Sequence, residues 1–251
     1  SGTLIFSGGR LSSDGLTDRS VANTLVLSNS LNLGSSANSG SLRFSGGVDL
    51  SAGATLTVDS TVTFGGAVSG AAGVAKLGAA EWTLAGTNSL TGAVQVGAGT
   101  LTLSGGLALA DSAVVALSGG GSLKLSTSEE IAAISGTGFV NVQGNTLTVS
   151  GTQSTTLSAL VLGTGGLEQK GVNANLTLSS ANTGFSGVVF LTAGTVTLDN
   201  AQAFGVGGSD TVQFRGGTLA YGSGITTDLS ARIQAIGGGT TAYVDIAHGT
   251  A

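Results

Sequence analysis

The chain has 251 residues, of which 45 are glycine, none is proline, cysteine or methionine, and 8% are charged. With 41% hydrophobic residues it is not an ordinary disordered segment, which pairs low hydrophobicity with high net charge, and the lack of proline and of a Gly-X-Y period excludes collagen. A net charge of −5, with eight basic residues spread from Arg10 to Arg232, leaves no basic patch for nucleic acid, and no apolar run approaches the roughly 18–20 residues of a membrane helix.

From the N-terminus onward the chain reads as a succession of short strands. Gly2-Thr3-Leu4-Ile5-Phe6 comes first, the polar stretch Arg10 to Ser20 follows, and then Thr24-Leu25-Val26-Leu27, Gly40-Ser41-Leu42-Arg43-Phe44, Thr55-Leu56-Thr57-Val58 and Thr61-Val62-Thr63-Phe64. Thr100-Leu101-Thr102-Leu103, Thr146-Leu147-Thr148-Val149 and Thr195-Val196-Thr197-Leu198 continue the series. Most alternate a β-branched polar residue with an apolar one, so one face goes in and the other out. Leu101, Leu103, Val196 and Leu198 are predicted core. Gly, Asn, Asp and Ser separate the runs because turns need positive φ or a side chain that bonds its own backbone. Helix-period segments are nearly absent; Ser128 to Ile134 is the best candidate and suits a strand equally.

Two periods organise these strands. Gly-Thr-Leu-Ile-Phe at 2–6 returns as Gly-Thr-Leu-Thr-Leu at 99–103 and Gly-Thr-Val-Thr-Leu at 194–198, a spacing of about 95 residues. Between the last two copies, Val74, Lys76 and Gly78 match Leu167, Gln169 and Gly171 at an offset of 93; Asn88 matches Asn182 at 94; Gly92 and Gly99 match Gly187 and Gly194 at 95. A shorter step follows each motif, to Gly121-Ser122-Leu123-Lys124-Leu125 after 22 residues and to Gly217-Thr218-Leu219-Ala220-Tyr221 after 23. In the first copy the step to Gly40 is 38, so about 16 extra residues, including Arg10 to Ser20, form a looped-out excursion or part of another rung.

Short strands at even spacing admit a sandwich, a propeller or a solenoid. A rung of 22–23 residues is too short for a propeller blade of about 40, and tight hairpin signals are scarce, Asp14-Gly15 being the main one. The prediction is an all-β, single-stranded parallel β-helix of roughly ten to eleven rungs, about 50 Å long at ~4.8 Å per rung. Its partners are its own neighbouring rungs, since each repeat contacts only the next. No amphipathic cap helix stands at either end; residues 1–6 begin within a repeat and Thr226 to Ala251 reads as the opening of another, so the chain is expected to continue in both directions.

The segment Gly73-Val74-Ala75-Lys76-Leu77-Gly78, through Trp82-Thr83-Leu84-Ala85-Gly86-Thr87-Asn88-Ser89-Leu90-Thr91-Gly92, to Gly99-Thr100-Leu101 resembles the autotransporter-associated β-strand repeat, also called the passenger-associated transport repeat. The second copy, 166–198, is similar but has Gln169 where the family has Lys; the first has Leu90 where an aromatic is usual and the second Phe185. Two copies, near 73–104 and 166–198, and a terminal fragment cover roughly half the chain. The resemblance implies a right-handed β-helix in the passenger of a secreted surface protein of a Gram-negative bacterium, helping that passenger fold outside the cell. The absence of cysteine fits a chain that crosses an oxidising periplasm without cross-linking.

Candidate chemistry is sparse, and neither a cofactor nor a metal is expected. His248 is the only histidine and no Gly-x-Ser-x-Gly elbow accompanies it. Glu129 and Glu130, adjacent, point to opposite faces if on a strand and read as a solvated turn. Gly207-Gly208-Ser209-Asp210-Thr211-Val212 is half a calcium nonapeptide without its tandem copy. No face groups acids with bases as polysaccharide lyases on this fold do. Asn88 and Asn182 read as left-handed turn residues whose amides bond a neighbouring rung. Trp82, matched by Leu176, reads as a packing residue. The expected function is a structural stalk, adhesin or fibre segment, self-associating or binding a surface ligand, with neither nucleic-acid binding nor membrane insertion. The alternatives are a scaffold for an enzyme or toxin whose active site lies elsewhere, and a fibre or surface-layer protein anchored by another route.

Overall fold

A computed structural model describes residues 2–206, 211–234 and 243–246. Among the described residues all 26 strand pairings are parallel and there is no α-helix, only one 3-10 turn at Ser230–Arg232. The chain coils as a solenoid with three faces visited in a fixed order. Face A begins with Thr3–Phe6, face B with Arg10–Leu11 and face C with Arg19–Val21. Face B is one sheet of 12 strands ending at Tyr243–Ile246, and face C one of eight ending at Leu160–Gly163. Face A is two sheets of five, broken between Ser89–Leu90 and Glu129–Ile131.

Every strand-like run quoted above is a strand, because alternation puts every second side chain inside, where it stacks on its counterpart one turn away. On face C the inward column runs Leu42, Val62, Trp82, Leu101, Leu123, Val140, Val161, all buried. Leu103, Val196 and Leu198 are buried as well. Phe44, Phe64 and Trp82 meet edge to face, with successive ring centroids 5.4 Å apart. Trp82 is therefore core, as is its counterpart Leu176.

Rungs are shorter than the 22–23 residues expected. Registered partners lie 17 residues apart at Ser122 and Phe139, 25 at Leu31 and Leu56, and most often 20, as from Val74 to Val94. The steps of 22 and 23 that set the expectation are true neighbours, Leu101 with Leu123 and Val196 with Leu219, but they are longer than most. Arg10 to Ser20 is not looped out: it supplies a face B strand and the start of a face C strand in the first rung. Ser128 to Ile134 is also strand.

The 95-residue period is not a whole number of turns. From Val74–Leu77 on face B the chain revisits that face four times, through Thr155–Leu157, then crosses face C to reach the matching Gly166–Gln169 on face A. Glu81–Leu84 and Asn175–Leu178 repeat the shift from face C to face B, as do Thr100–Leu103 and Thr195–Leu198. The copies are thus four and two-thirds turns apart, which places equivalent residues on different faces.

Candidate functional site

The repeat positions converge on the corners between faces. Gly99 and Gly194 have φ of +62° and +60°, the left-handed region that glycine enters without a Cβ penalty. At Gly78, Gly92, Gly171 and Gly187 the constraint is closeness: an added Cβ would lie 2.4, 2.1, 1.9 and 1.7 Å from the carbonyl oxygens of Val58, Ala72, Gly151 and Gly165, one rung back. All six of these glycines thus lie directly against another rung's backbone, and the repeat pattern marks where rungs touch.

Asn88 and Asn182 are buried rungs of a side-chain ladder. Asn88 Oδ1 accepts from the Val68 amide at 2.7 Å, and its Nδ2 donates to the Ala108 carbonyl at 2.8 Å. Asn182 does the same between Val161 at 2.8 Å and Ala203 at 2.6 Å. Neither has positive φ; among the described residues the non-glycine ones that do are Gln143 and Asn173. The left-handed expectation is therefore wrong and the bond into a neighbouring rung right, because an amide presents an acceptor and a donor in the same order as a peptide group.

Glu129 continues the first ladder across the break in face A. Its carboxylate accepts from the Leu109 amide at 2.6 Å and the Ala108 amide at 3.3 Å, so it stands in for the strand missing there. It is buried, not a solvated turn, and burial pushes its carboxyl above the usual range although those two amides pull it down. Sequence reasoning missed it because a buried acid is rare; the signal is its place about 20 residues beyond two unpaired amides.

Lys76 and Gln169 occupy inward columns, Lys76 between Leu56 and Val96 and Gln169 between Val149 and Leu191. The Lys76 ammonium donates to the carbonyls of Gly78 at 2.8 Å, Ala98 at 2.9 Å and Leu77 at 3.2 Å. Burial lowers its pKa to about 8, opposed by the Asp59 charge. Between pH 8 and 10 the unfolded chain keeps this proton and the folded chain loses it, so stability should rise with pH, by about 2–3 kcal/mol for this group. Denaturant titrations of wild type and Lys76→Met across that range check the sign: wild type should gain stability relative to the variant as pH rises, and parallel profiles would refute the shift.

Acids and bases do gather on one face, contrary to expectation. Glu130, Thr148, Glu168, Phe190 and Gln213 form one outward column of face A. Lys170 donates to Glu130 at 2.8 Å across two rungs, and Glu168 accepts from Thr148 at 3.0 Å and Thr192 at 2.6 Å. The Arg215 guanidinium lies 3.7 Å from Glu168 and 3.9 Å from the Phe190 ring centre. The Lys170 hydrogen bond lowers the Glu130 pKa, and the same bond raises that of Lys170. Glu130 thus stays ionised and Lys170 protonated near neutrality, which suits an ion-pair lattice and not proton transfer.

Glu129 and Glu130 do face opposite ways, one to the core and one to this lattice. His248 and Gly207 to Asp210 lie outside the described residues. Set against known proteins, the chain matches no family model, no curated protein and no solved structure.

Proposed function

We propose that this chain is a structural segment of a secreted cell-surface protein, a β-helical stalk or adhesive fibre that helps its passenger fold and holds it away from the cell. The observation that carries the reading is that the polar residues recurring in the repeat, Asn88 with Asn182 and Lys76 with Gln169, bond backbone at corners between rungs. A motif used in that way serves folding of the rod. The outward residues are largely Ser, Thr and Gly with few charges, a surface suited to an extracellular spacer, and the ion-pair lattice on face A ties rungs together instead of presenting a poised acid or base.

An antibody raised against the segment tests the reading. It should label intact cells of the source organism, and brief external proteolysis should remove the label; label appearing only after permeabilisation would sink it.

A further inference from the structure

Residues 105–112 occupy the place on face A where no strand stands, between Ser89–Leu90 one rung back and Glu129–Ile131 one rung on. The amides of this strap bond side chains instead of a backbone ladder. Gly105 and Gly106 N–H both donate to Thr127 Oγ1, at 2.9 and 2.8 Å, and Ala108 and Leu109 N–H donate to the Glu129 carboxylate. From one rung back Asn88 holds the strap, its backbone N–H donating to Leu107 O at 2.9 Å and its Nδ2 to Ala108 O. Gly105 and Gly106 stand at the entry with φ of +118° and +74°, and of the eight residues only Ala108 and Leu109 are buried. The matching strap of the second copy, residues 200–205, is built otherwise. Asn182 holds Gln202 O and Ala203 O as Asn88 holds Leu107 O and Ala108 O, so the two straps are equivalent. In the second the amides close on the strap itself: Ala203 N–H donates to Asn200 O and Gly205 N–H to Gln202 O, both at 3.0 Å, and Asn200 Oδ1 takes the Gln202 N–H at 2.9 Å. The Arg232 guanidinium donates to the Phe204 carbonyl as well. Gly105 stands where Asn200 does and has no side chain to cap the turn, so the first strap depends on Thr127 and Glu129.

We propose that residues 105–112 form a flap that lifts as a unit, hinged at Gly105-Gly106 and latched by Thr127 and Glu129, while the rungs on either side stay folded. Local opening costs what the opened segment loses, and segments with few buried apolar groups open first. Lifting this flap breaks four bonds to Thr127 and Glu129 and two from Asn88, and bares one alanine and one leucine. The flanking strands do not have to move. Val94–Val96 pairs with Val114–Leu117 on face B, and Thr100–Leu103 with Ser122–Leu125 on face C, without the strap. The glycine pair at the entry absorbs the change in backbone direction at no Cβ cost. A lifted flap leaves a gap one strand wide in the wall of the rod, bordered by Ser89–Leu90 and Glu129–Ile131. The second strap, closed by its own bonds, has no such latch to release.

Amide hydrogen exchange of the whole chain, read residue by residue and corrected for intrinsic rates, tests this. The amides of Gly105, Gly106, Ala108 and Leu109 should exchange at least about a hundredfold faster than those of Ser118 and Ser122, which bond Val96 O and Gly99 O in the neighbouring ladders. Thr127→Val removes the acceptor of Gly105 and Gly106, and Glu129→Gln sets an NH2 donor against one of the amides of Ala108 and Leu109. Each variant should quicken the four strap amides by about tenfold more and leave Ser118, Ser122 and the Ala203 amide of the second strap unchanged. Strap amides in wild type no faster than Ser118 and Ser122, or variants that quicken all of these amides alike, would overturn the proposal. If Glu129→Gln does not fold, wild type and Thr127→Val decide by the same comparison, since Thr127 is only half-buried.

Discussion

Replacing Leu101 by aspartate is expected to destabilise the rod by more than about 4 kcal/mol, the range reached when an unpaired charge is forced into a packed interior. Leu101 is fully buried, stacked between Trp82 and Leu123 in the inward column of face C, and next to Leu103 and the aromatic series above it. The aspartate has no ammonium or amide within the column to meet it. Thr100→Asp, one residue earlier and partly exposed, is the control and should cost under about 1 kcal/mol. Urea unfolding of the two variants separates the cases; similar midpoints would mean that the inward and outward positions are interchanged.

The asparagine ladders give the second large effect. Asn88→Leu leaves the Val68 amide and the Ala108 carbonyl buried without partners, and Asn182→Leu does the same to Val161 and Ala203, at about 2–5 kcal/mol each. Because contacts in a solenoid reach only neighbouring rungs, amide exchange should quicken at Val68 in the first variant and at Val161 in the second, with little crossover. Asn88→Asp sharpens the point. Its carboxylate still accepts from Val68 but cannot donate to Ala108, so stability lost at neutral pH should return in part on acidification, when the protonated acid regains a donor. Loss at both amides in either variant would show that the ladders unfold as one unit.

The alternation Thr100-Leu101-Thr102-Leu103 made the fold legible, because period 2 fixes which side chains go in whatever the rest of the chain does. The rung was legible where two motifs fell on adjacent turns, Leu101 over Leu123, and was overestimated because those turns are among the longer ones. What the sequence hides is juxtaposition. Lys170 meets Glu130 after 40 residues, and Arg215 meets Glu168 after 47, separations that mean nothing until a turn of about 20 brings every second rung over the first. Glu129 shows the same limit: its burial depends on a strand missing from the rung before it, and no local pattern announces a missing neighbour.

A copy length of four and two-thirds turns makes an array of such copies a screw. Each duplication advances along the axis by about 22 Å at ~4.8 Å per rung and carries its outward residues one face round, so three copies, 14 turns, bring a given residue back to the side where it began. A duplication is then tolerated whenever it lands in phase with a face, which offers three times as many permitted lengths as landing in phase with a turn. A lengthening fibre would show its repeat in every direction about its axis, so a flat surface or a single partner would meet each copy in succession only by winding around the rod.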